Sequence, residues 1–217
     1  QFWHKKCQGI DIGFQEAEVN QQLLKHISDL APKPPARIFV PLCGKTRDIA
    51  WFLDQGYQVV GAELSELAIR ELFTGLAINP KTEPFHGGTR FMGPGIDIFV
   101  GDIFDLSVQD VGQIDFVYDR AALVALPSQM RSKYAAQVAN LTAHAPQLVL
   151  SFEYDQRVLN GPPFSVDGKE LAQVYGQEFE FQERDRSPIE GRLEARLAGS
   201  AQKDITVWSL TPRASAG

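Results

Sequence analysis

Residues 37–66 read RIFVPLCGKTRDIAWFLDQGYQVVGAELSE. The apolar run at residues 38–40 is bounded by Pro and Gly, a pattern typical of a buried strand. Apolar residues recur at helical spacing over residues 49–53, and a second apolar run then leads to Glu63. The stretch therefore predicts a strand, a turn, a helix and a second strand, which together form a βαβ unit.

Glu63 ends the second predicted strand, about 20 residues after the first turn, where nucleotide-binding α/β proteins place a carboxylate that accepts ribose hydroxyls. The first turn, PLCGKT at residues 41–46, has one glycine. The dinucleotide pattern G-x-G-x-x-G needs three glycines to bring the backbone close to a pyrophosphate, and the P-loop needs a first glycine separated by four residues from Gly44-Lys45. The expected ligand therefore has a ribose and no pyrophosphate, a description that fits S-adenosylmethionine.

Composition limits the possible function classes. With 217 residues, of which 44% are hydrophobic, the chain is expected to form one domain over residues 1–217. A formal net charge of −6 argues against nucleic-acid partners and anionic membrane surfaces, because phosphate contacts require clustered Lys and Arg. The sequence has no apolar run of about 18 residues and no apolar signal-peptide core, so we expect a cytoplasmic protein. Cys7 and Cys43 fit a reducing compartment, and no metal-ligand spacing is present.

Along the chain, strands and helices alternate before the pattern changes near the end. Further buried strands are predicted at residues 96–100, 114–118 and 148–152. Residues 178–182 alternate in polarity, which indicates a half-exposed antiparallel strand that can pair with residues 205–210. The Gly- and Pro-rich stretch at residues 80–97 is predicted to be a long irregular loop, and residues 186–203 a second variable loop. This order indicates an α/β sandwich.

Four motifs in a fixed order carry a family resemblance: PLCGK at residues 41–45, GDIF at 101–104, YDRAALVA at 118–125 and GPPF at 161–164. With them, the chain resembles thiopurine S-methyltransferases of the bacterial type nearly from end to end. The resemblance implies a Rossmann-like class I S-adenosylmethionine-dependent methyltransferase. That fold is a three-layer sandwich around a mostly parallel, seven-stranded sheet whose last strand is reversed. It also implies a monomer, with an arm and helix at residues 1–35 covering the site.

Candidate cofactor residues lie where predicted strands end, and in an open α/β sheet ligands bind at the carboxyl ends of the strands. Glu63 can accept the ribose hydroxyls; the alternative is a helix N-terminal charge beside Ser65. Asp102 can accept from the adenine amino group while Ile103 covers the ring; the alternative for Asp102 is a turn residue. The resemblance implies that Leu42 makes a backbone contact to the methionine portion.

Arg120 follows the fourth predicted strand directly. Its guanidinium can hold the methionyl carboxylate or stabilise an anionic acceptor, and the resemblance favours cofactor binding. The alternative is an ion pair with Asp119 or Asp48.

The resemblance also assigns residues outside the strand ends. Phe14 matches an aromatic that stacks on the substrate ring; the alternative is a hydrophobic staple at the first helix. The family covers the cofactor with a Trp-x-x-x-Trp pattern, in which this chain has Trp3 and then Cys7, and Gln15 stands where His is common. Phe164 is expected to form an apolar wall of the acceptor pocket. The loop around His86 is expected to line the same pocket.

The resulting hypothesis is an enzyme that moves the sulfonium methyl group of S-adenosylmethionine to the sulfur of small aromatic or heterocyclic thiols such as thiopurine-like xenobiotics. It needs no metal, no nucleic acid and no membrane. Two alternatives stay open. One keeps the cofactor but uses selenium or tellurium species, halide or a natural product as acceptor. The other is a nucleotide-binding module without turnover.

Overall fold

The computed structural model describes residues 18–214, which contain nine strands and seven α-helices. The strands are β1 (Arg37–Pro41), β2 (Gln58–Glu63), β3 (Lys81–Phe85), β4 (Gly88–Gly93), β5 (Ile96–Gly101), β6 (Phe116–Arg120), β7 (Gln147–Tyr154), β8 (Phe179–Pro188) and β9 (Lys203–Pro212). The helices are α1 (Gln21–Leu30), α2 (Asp48–Asp54), α3 (Glu66–Gly75), α4 (Val108–Val111), α5 (Ser128–Leu141), α6 (Gly168–Tyr175) and α7 (Gly191–Arg196). None of the helices within this range is long and apolar enough to cross a membrane.

All described strands form one sheet in the order β3-β4-β5-β2-β1-β6-β7-β9-β8. The five central strands, from β5 to β7, are parallel. The final strand, β9, runs antiparallel to both β7 and β8. The predicted Rossmann-like class with a reversed last strand is confirmed. The expectation of seven strands is wrong, because β3 and β4 extend the sheet beyond β5.

Successive side chains of the central strands point to opposite faces of the sheet, and this divides the core into two layers. In β1, Ile38 and Val40 pack on one face with α1, α2 and α3, while Phe39 packs on the other with α5 and α6. All three side chains are at most 2% exposed. Because successive strand residues point to opposite faces, a continuous apolar run supplies both layers at once. The result is the three-layer sandwich that was expected.

The stretch at residues 80–97 is a β-hairpin, which corrects the prediction of an irregular loop. Its turn, His86-Gly87, joins β3 to β4, and β4 pairs antiparallel with β5. Pro84 is tolerated because β3 is an edge strand, where a missing N–H breaks no ladder bond. A Cβ on Gly88 would lie 2.0 Å from the carbonyl oxygen of Val100, so this glycine permits close pairing. The Gly and Pro residues that indicated a loop are thus the residues a tight edge hairpin requires.

Residues 186–203, predicted as a second variable loop, are also partly ordered. Their first residues complete β8, and α7 follows at Gly191–Arg196. Leu193 and Leu197 from this segment are buried against Tyr154 of β7. The segment therefore has a small core of its own at the carboxyl end of β7.

Candidate active site

Four parallel strands end at the same edge of the sheet and bring the predicted site residues there. Leu42 follows β1, Glu63 ends β2, Asp102 follows β5 and Arg120 ends β6. The strand order reverses on either side of β1, which is the switch point where ligands bind in open α/β sheets. From β5 to β6 there are three strand spacings, or about 14 Å, which gives room for an extended ligand.

The turn after β1 is held in an unusual backbone conformation. Leu42 has φ +47° and Gly44 has φ +54°, both in the left-handed region. The N–H of Cys43 donates to the carbonyl oxygen of Ala62 at 3.0 Å, which fixes the turn to β2. Cys43 is buried, and that burial raises the pKa of its thiol well above the ordinary value, so the thiol stays neutral and inert. A Cβ on Gly44 would meet nothing within 4 Å, so the turn faces open space.

Glu63 has a carboxylate fixed by backbone amides of two turns. One oxygen accepts from the Gly44 N–H and the other from the Ser65 N–H, both at 2.8 Å. Burial raises the pKa of Glu63, and these two N–H groups oppose that rise by favouring the ionised form. Each oxygen keeps a second lone pair, so a ligand with two adjacent hydroxyls can still be bound. The side chain is partly exposed, which leaves it accessible from the edge of the sheet.

Asp102 and Ile103 begin the turn after β5. The exposed Asp102 carboxylate accepts from the Phe104 N–H at 3.0 Å and caps a short 3-10 helix. Ile103 is 6% exposed and belongs to the core, with its carbonyl oxygen accepting from Gln137 at 2.9 Å. Asp102 therefore does stabilise the turn, as the alternative reading predicted. The second oxygen of its exposed carboxylate can still accept a hydrogen bond from a ligand.

The β-hairpin is tied to this turn and not to the Phe164 loop. The ring N–H of His86 donates to the carbonyl oxygen of Asp105, beside Asp102. The Phe164 N–H donates to the carbonyl oxygen of Val124 in the segment after β6, so Phe164 lies across β2 and β1 from the hairpin, at the same carboxyl edge of the sheet. The expectation that both loops line the acceptor pocket stays a prediction.

Asp119 lies buried beneath the end of β6. It is 1% exposed, and its two oxygens accept from the Leu123 N–H at 3.1 Å and from the Tyr134 hydroxyl at 2.7 Å. Burial raises the pKa of Asp119 to about 6, against the opposing effect of the Tyr134 hydrogen bond. The carboxylate thus fixes the turn that follows Arg120, in which Ala121 has φ +67°. Residues held in such a conformation cluster at binding sites.

Arg120 is partly exposed at the same edge. Its two proposed ion-pair partners, Asp119 and Asp48, both bond to other groups. Asp48 is 1% exposed and accepts from the Asn20 N–H at 2.9 Å and from the Tyr118 hydroxyl at 3.0 Å. These bonds attach the start of α1 to the turn region of the site.

Phe164 approaches the site through the segment that follows β6. Its N–H donates to the carbonyl oxygen of Val124 at 2.6 Å, and the Arg131 guanidinium lies 5.5 Å from the ring centroid. A Cβ on Gly161 would lie 2.5 Å from the same ring, so only glycine leaves it this space. The hydroxyl of Tyr154, on β7, donates a hydrogen bond to the carbonyl oxygen of Pro163 and so attaches the loop to the sheet.

Three predicted residues of the N-terminal arm, Trp3, Cys7 and Phe14, lie outside the described range, as does Gln15. Within residues 18–214, no cluster of His, Cys, Asp and Glu is arranged to hold a metal ion.

Sequence reasoning missed the residues that hold the site in place. The Ser65 N–H could have been found by local reasoning, because Ser65 lies two residues after Glu63 at the start of a helix. Tyr134 and Arg131 gave no signal, since a buried tyrosine or arginine on a helix looks like any other residue of an amphipathic face. Only the packing of α5 against β6 reveals what they contact.

Comparisons with known proteins identify the family of the chain. The family model of thiopurine S-methyltransferase (TPMT) matches residues 1–211. A thiopurine S-methyltransferase from Xanthobacter autotrophicus is 50% identical over 210 residues, covering 96% of this chain and 97% of the relative. One from Teredinibacter turnerae is 42% identical over 210 residues, covering 97% and 96%.

A solved structure with the same fold is the 1,6-didemethyltoxoflavin-N1-methyltransferase of Burkholderia thailandensis, with bound 1,6-didemethyltoxoflavin and S-adenosylhomocysteine. It has a TM-score of 0.56 and 18% identity, and the match covers 88% of this chain and 76% of that one. The chain belongs to the thiopurine S-methyltransferase family and is an S-adenosylmethionine-dependent methyltransferase.

Proposed function

We propose that this member of the thiopurine S-methyltransferase family methylates the sulfur of small aromatic or heterocyclic thiols, with S-adenosylmethionine as methyl donor. The observation that carries the proposal is the Glu63 carboxylate, oriented by two backbone N–H groups at the switch point of the sheet. The names of the relatives from Xanthobacter autotrophicus and Teredinibacter turnerae support the choice of acceptor.

The residues of the edge fit the cofactor. Glu63 has lone pairs for the two ribose hydroxyls, and the open space beside Gly44 leaves room for a ligand against the turn. We assign Asp102 to the adenine amino group, Ile103 to the ring and Leu42 to a backbone contact with the methionine portion. Arg120, on the other side of β1, would hold the methionyl carboxylate. When bound, S-adenosylmethionine supplies a methyl group on a positively charged sulfur.

The acceptor would lie on the Arg120 side of the site. Phe164 is assigned to the aromatic ring of the acceptor, and Arg120 lies where its charge can stabilise an anionic sulfur. An aromatic thiol ionises near or below neutral pH, so it can bind as a thiolate. The protein then needs no general base, and its own contribution is to position the acceptor, which can be worth roughly 7–11 kcal/mol of the barrier.

The N-terminal arm is proposed to contribute to covering the site. Asn20 is bonded to Asp48, at the start of α2 and next to the turn after β1. The described chain therefore begins at the edge that holds the site residues, which supports a covering role for residues 1–35 with Cys7 and Phe14. We also propose a cytoplasmic monomer. Few large apolar side chains of the described residues are exposed: Leu24, Leu64, Leu67 and Val108.

The test combines binding with turnover. Calorimetry with S-adenosylhomocysteine is expected to show one site, and a panel of aromatic thiols with S-adenosylmethionine is expected to yield S-methyl products by mass spectrometry. Selenium and tellurium species, halide and aliphatic hydroxyls serve as competing acceptors in the same panel. Turnover confined to those competitors would refute the thiol assignment. Binding without turnover of any acceptor would indicate a nucleotide-binding module instead.

A further inference from the structure

The segment from Arg120 to Leu126 connects the two sides of the site and is held at three points. Asp119 accepts from the Leu123 N–H at 3.1 Å, close to Arg120. The carbonyl oxygen of Val124 accepts from the Phe164 N–H at 2.6 Å. The carbonyl oxygen of Leu126 accepts from the Arg131 Nε–H at 2.9 Å.

Arg131 links that segment to two further elements. Its Nη1 group donates to the Glu170 carboxylate at the start of α6. Its guanidinium carbon lies 5.5 Å from the centroid of the Phe164 ring, within the range of a cation–π interaction. The side chain is 3% exposed, so water does not compete for these contacts. One planar group therefore fixes the segment after β6, the start of α6 and the aromatic ring relative to one another.

The Arg131 guanidinium is better suited to orient its neighbours than to stabilise the fold. A buried ion pair loses hydration, and its net contribution to folding is often small or unfavourable. The guanidinium fork, in contrast, donates in fixed directions that an ammonium or a thioether cannot reproduce. Gly161 has no side chain that could fix the orientation of the Phe164 ring. The orientation of the ring therefore depends on the groups that pack against it, and the Arg131 guanidinium is one of them.

We infer that Arg131 is a positioning residue that tunes aromatic-acceptor binding by holding the Phe164 ring and the segment after β6 in register. The inference rests on the proposed function, in which Phe164 contacts the acceptor ring. Arg131 itself touches neither substrate nor cofactor.

The experiment compares Arg131→Met and Arg131→Lys with wild type. Measured quantities are KM and kcat for an aromatic thiol such as thiophenol, and Kd for S-adenosylhomocysteine. Arg131→Met is expected to raise the KM of the aromatic thiol about tenfold, because the ring loses its orienting partner, while kcat falls less than about threefold and Kd changes less than about twofold. Arg131→Lys keeps the positive charge but loses the planar guanidinium, so its KM for the aromatic thiol is expected to lie between those of wild type and Arg131→Met.

Arg37 offers a matched control at the opposite edge of the sheet. Its guanidinium donates to the backbone carbonyl oxygens of Gln113 at 2.9 Å and Val111 at 2.8 Å, as that of Arg131 donates to the carbonyl oxygen of Leu126. Arg37→Met is expected to leave KM, kcat and Kd as in wild type. Equal effects of the Arg37 and Arg131 changes would mean a general loss of stability and would overturn the inference.

A double mutant keeps the inference testable if Arg131→Met folds poorly. In a Phe164→Leu background, the milder Glu170→Gln and Arg131→Lys changes are expected to raise KM no further, since the ring they orient is gone. Fully additive effects would overturn the inference. A wild-type protein that turns over no thiol would instead refute the proposed function, whereas thiol turnover with an unchanged KM in Arg131→Met refutes only the role of Arg131.

Discussion

Glu63 ends β2 and Asp119 is the next-to-last residue of β6, on either side of β1, and their carboxylates are held in different ways. Glu63 is partly exposed and accepts two backbone N–H groups at 2.8 Å. Asp119 is 1% exposed and accepts from Leu123 and from Tyr134 on α5. Burial raises the pKa of both groups, that of Asp119 to about 6.

This difference indicates that the two carboxylates have different roles at one site. Glu63, held by the backbone of its own turns, presents its remaining lone pairs to the edge of the sheet and is suited to bind a ligand directly. Asp119 is enclosed by protein and shapes the turn that carries Arg120. We call the turns after β1, β2 and β5 the Glu63 side, and the turns after β6 and β7 the Asp119 side. The Glu63 side carries the carboxylate that we propose contacts the ligand, and the Asp119 side is built around an internal hydrogen-bond network.

The largest expected effect is on the Glu63 side. Glu63→Ala is expected to weaken S-adenosylhomocysteine binding by more than about 100-fold in calorimetry, because two hydrogen bonds to a charged group, each worth about 1.5–3 kcal/mol, are lost. The matched control is Glu66→Ala, an exposed carboxylate nearby whose partner is Arg70 at 2.6 Å. That change is expected to leave Kd within about twofold. Similar losses in both variants would show that Glu63 does not contact the ligand.

The second prediction concerns stability on the Asp119 side, measured by urea unfolding at pH 5 and pH 7.5. Because the folded pKa of Asp119 is raised from 3.8 to about 6, its contribution to stability is full below pH 3.8 and is lost as the pH rises through 6. The carboxylate is therefore ionised, buried and most dependent on its donors at pH 7.5. Tyr134→Phe is expected to cost about 1.5–3 kcal/mol at pH 7.5 and about 1 kcal/mol at pH 5.

Tyr175 is the control for that prediction. Its hydroxyl is also buried, and the structure gives it no hydrogen-bond partner within the described residues. Tyr175→Phe is expected to leave the free energy of unfolding unchanged or to raise it by up to about 1–3 kcal/mol at either pH, because it removes a buried hydroxyl that has no partner. A pH-independent loss for Tyr134→Phe, or equal losses for the two tyrosines, would contradict the assigned role of the Asp119 bond.

The smallest expected effect is at Ala121, in the turn after Arg120. Its left-handed conformation, at φ +67°, costs an alanine about 1–2 kcal/mol, which offsets the entropy that a glycine would lose on folding. Ala121→Gly is therefore expected to stay within about 0.5 kcal/mol of wild type in urea unfolding. The adjacent Ala122, fully buried at φ −81°, is the control, and Ala122→Gly is expected to cost about 1.5 kcal/mol. Equal losses would mean that Ala121 is not under strain.

Errors in the sequence prediction have a common physical origin. The hairpin at residues 80–97 was predicted as a loop because Gly87, Gly88 and Pro84 usually interrupt regular structure. They are compatible with a strand pair only because β5 offers an unpaired edge to β4. Likewise, the position of α7 depends on the packing of Leu193 against Tyr154, and no local sequence pattern predicts that contact.

The sequence by itself determined the βαβ unit, the succession of buried strands along the chain and the position of Glu63. These depend on the spacing of apolar residues and on turn residues that lie next to each other in the chain. Only the tertiary structure decided how the Asp119 side is built. Tyr134 reaches Asp119 across 15 residues, and Arg131 reaches Glu170 across 39. Hydrogen bonds between residues so far apart follow from how α5 and α6 pack on the sheet, and that packing leaves no periodic trace in the sequence.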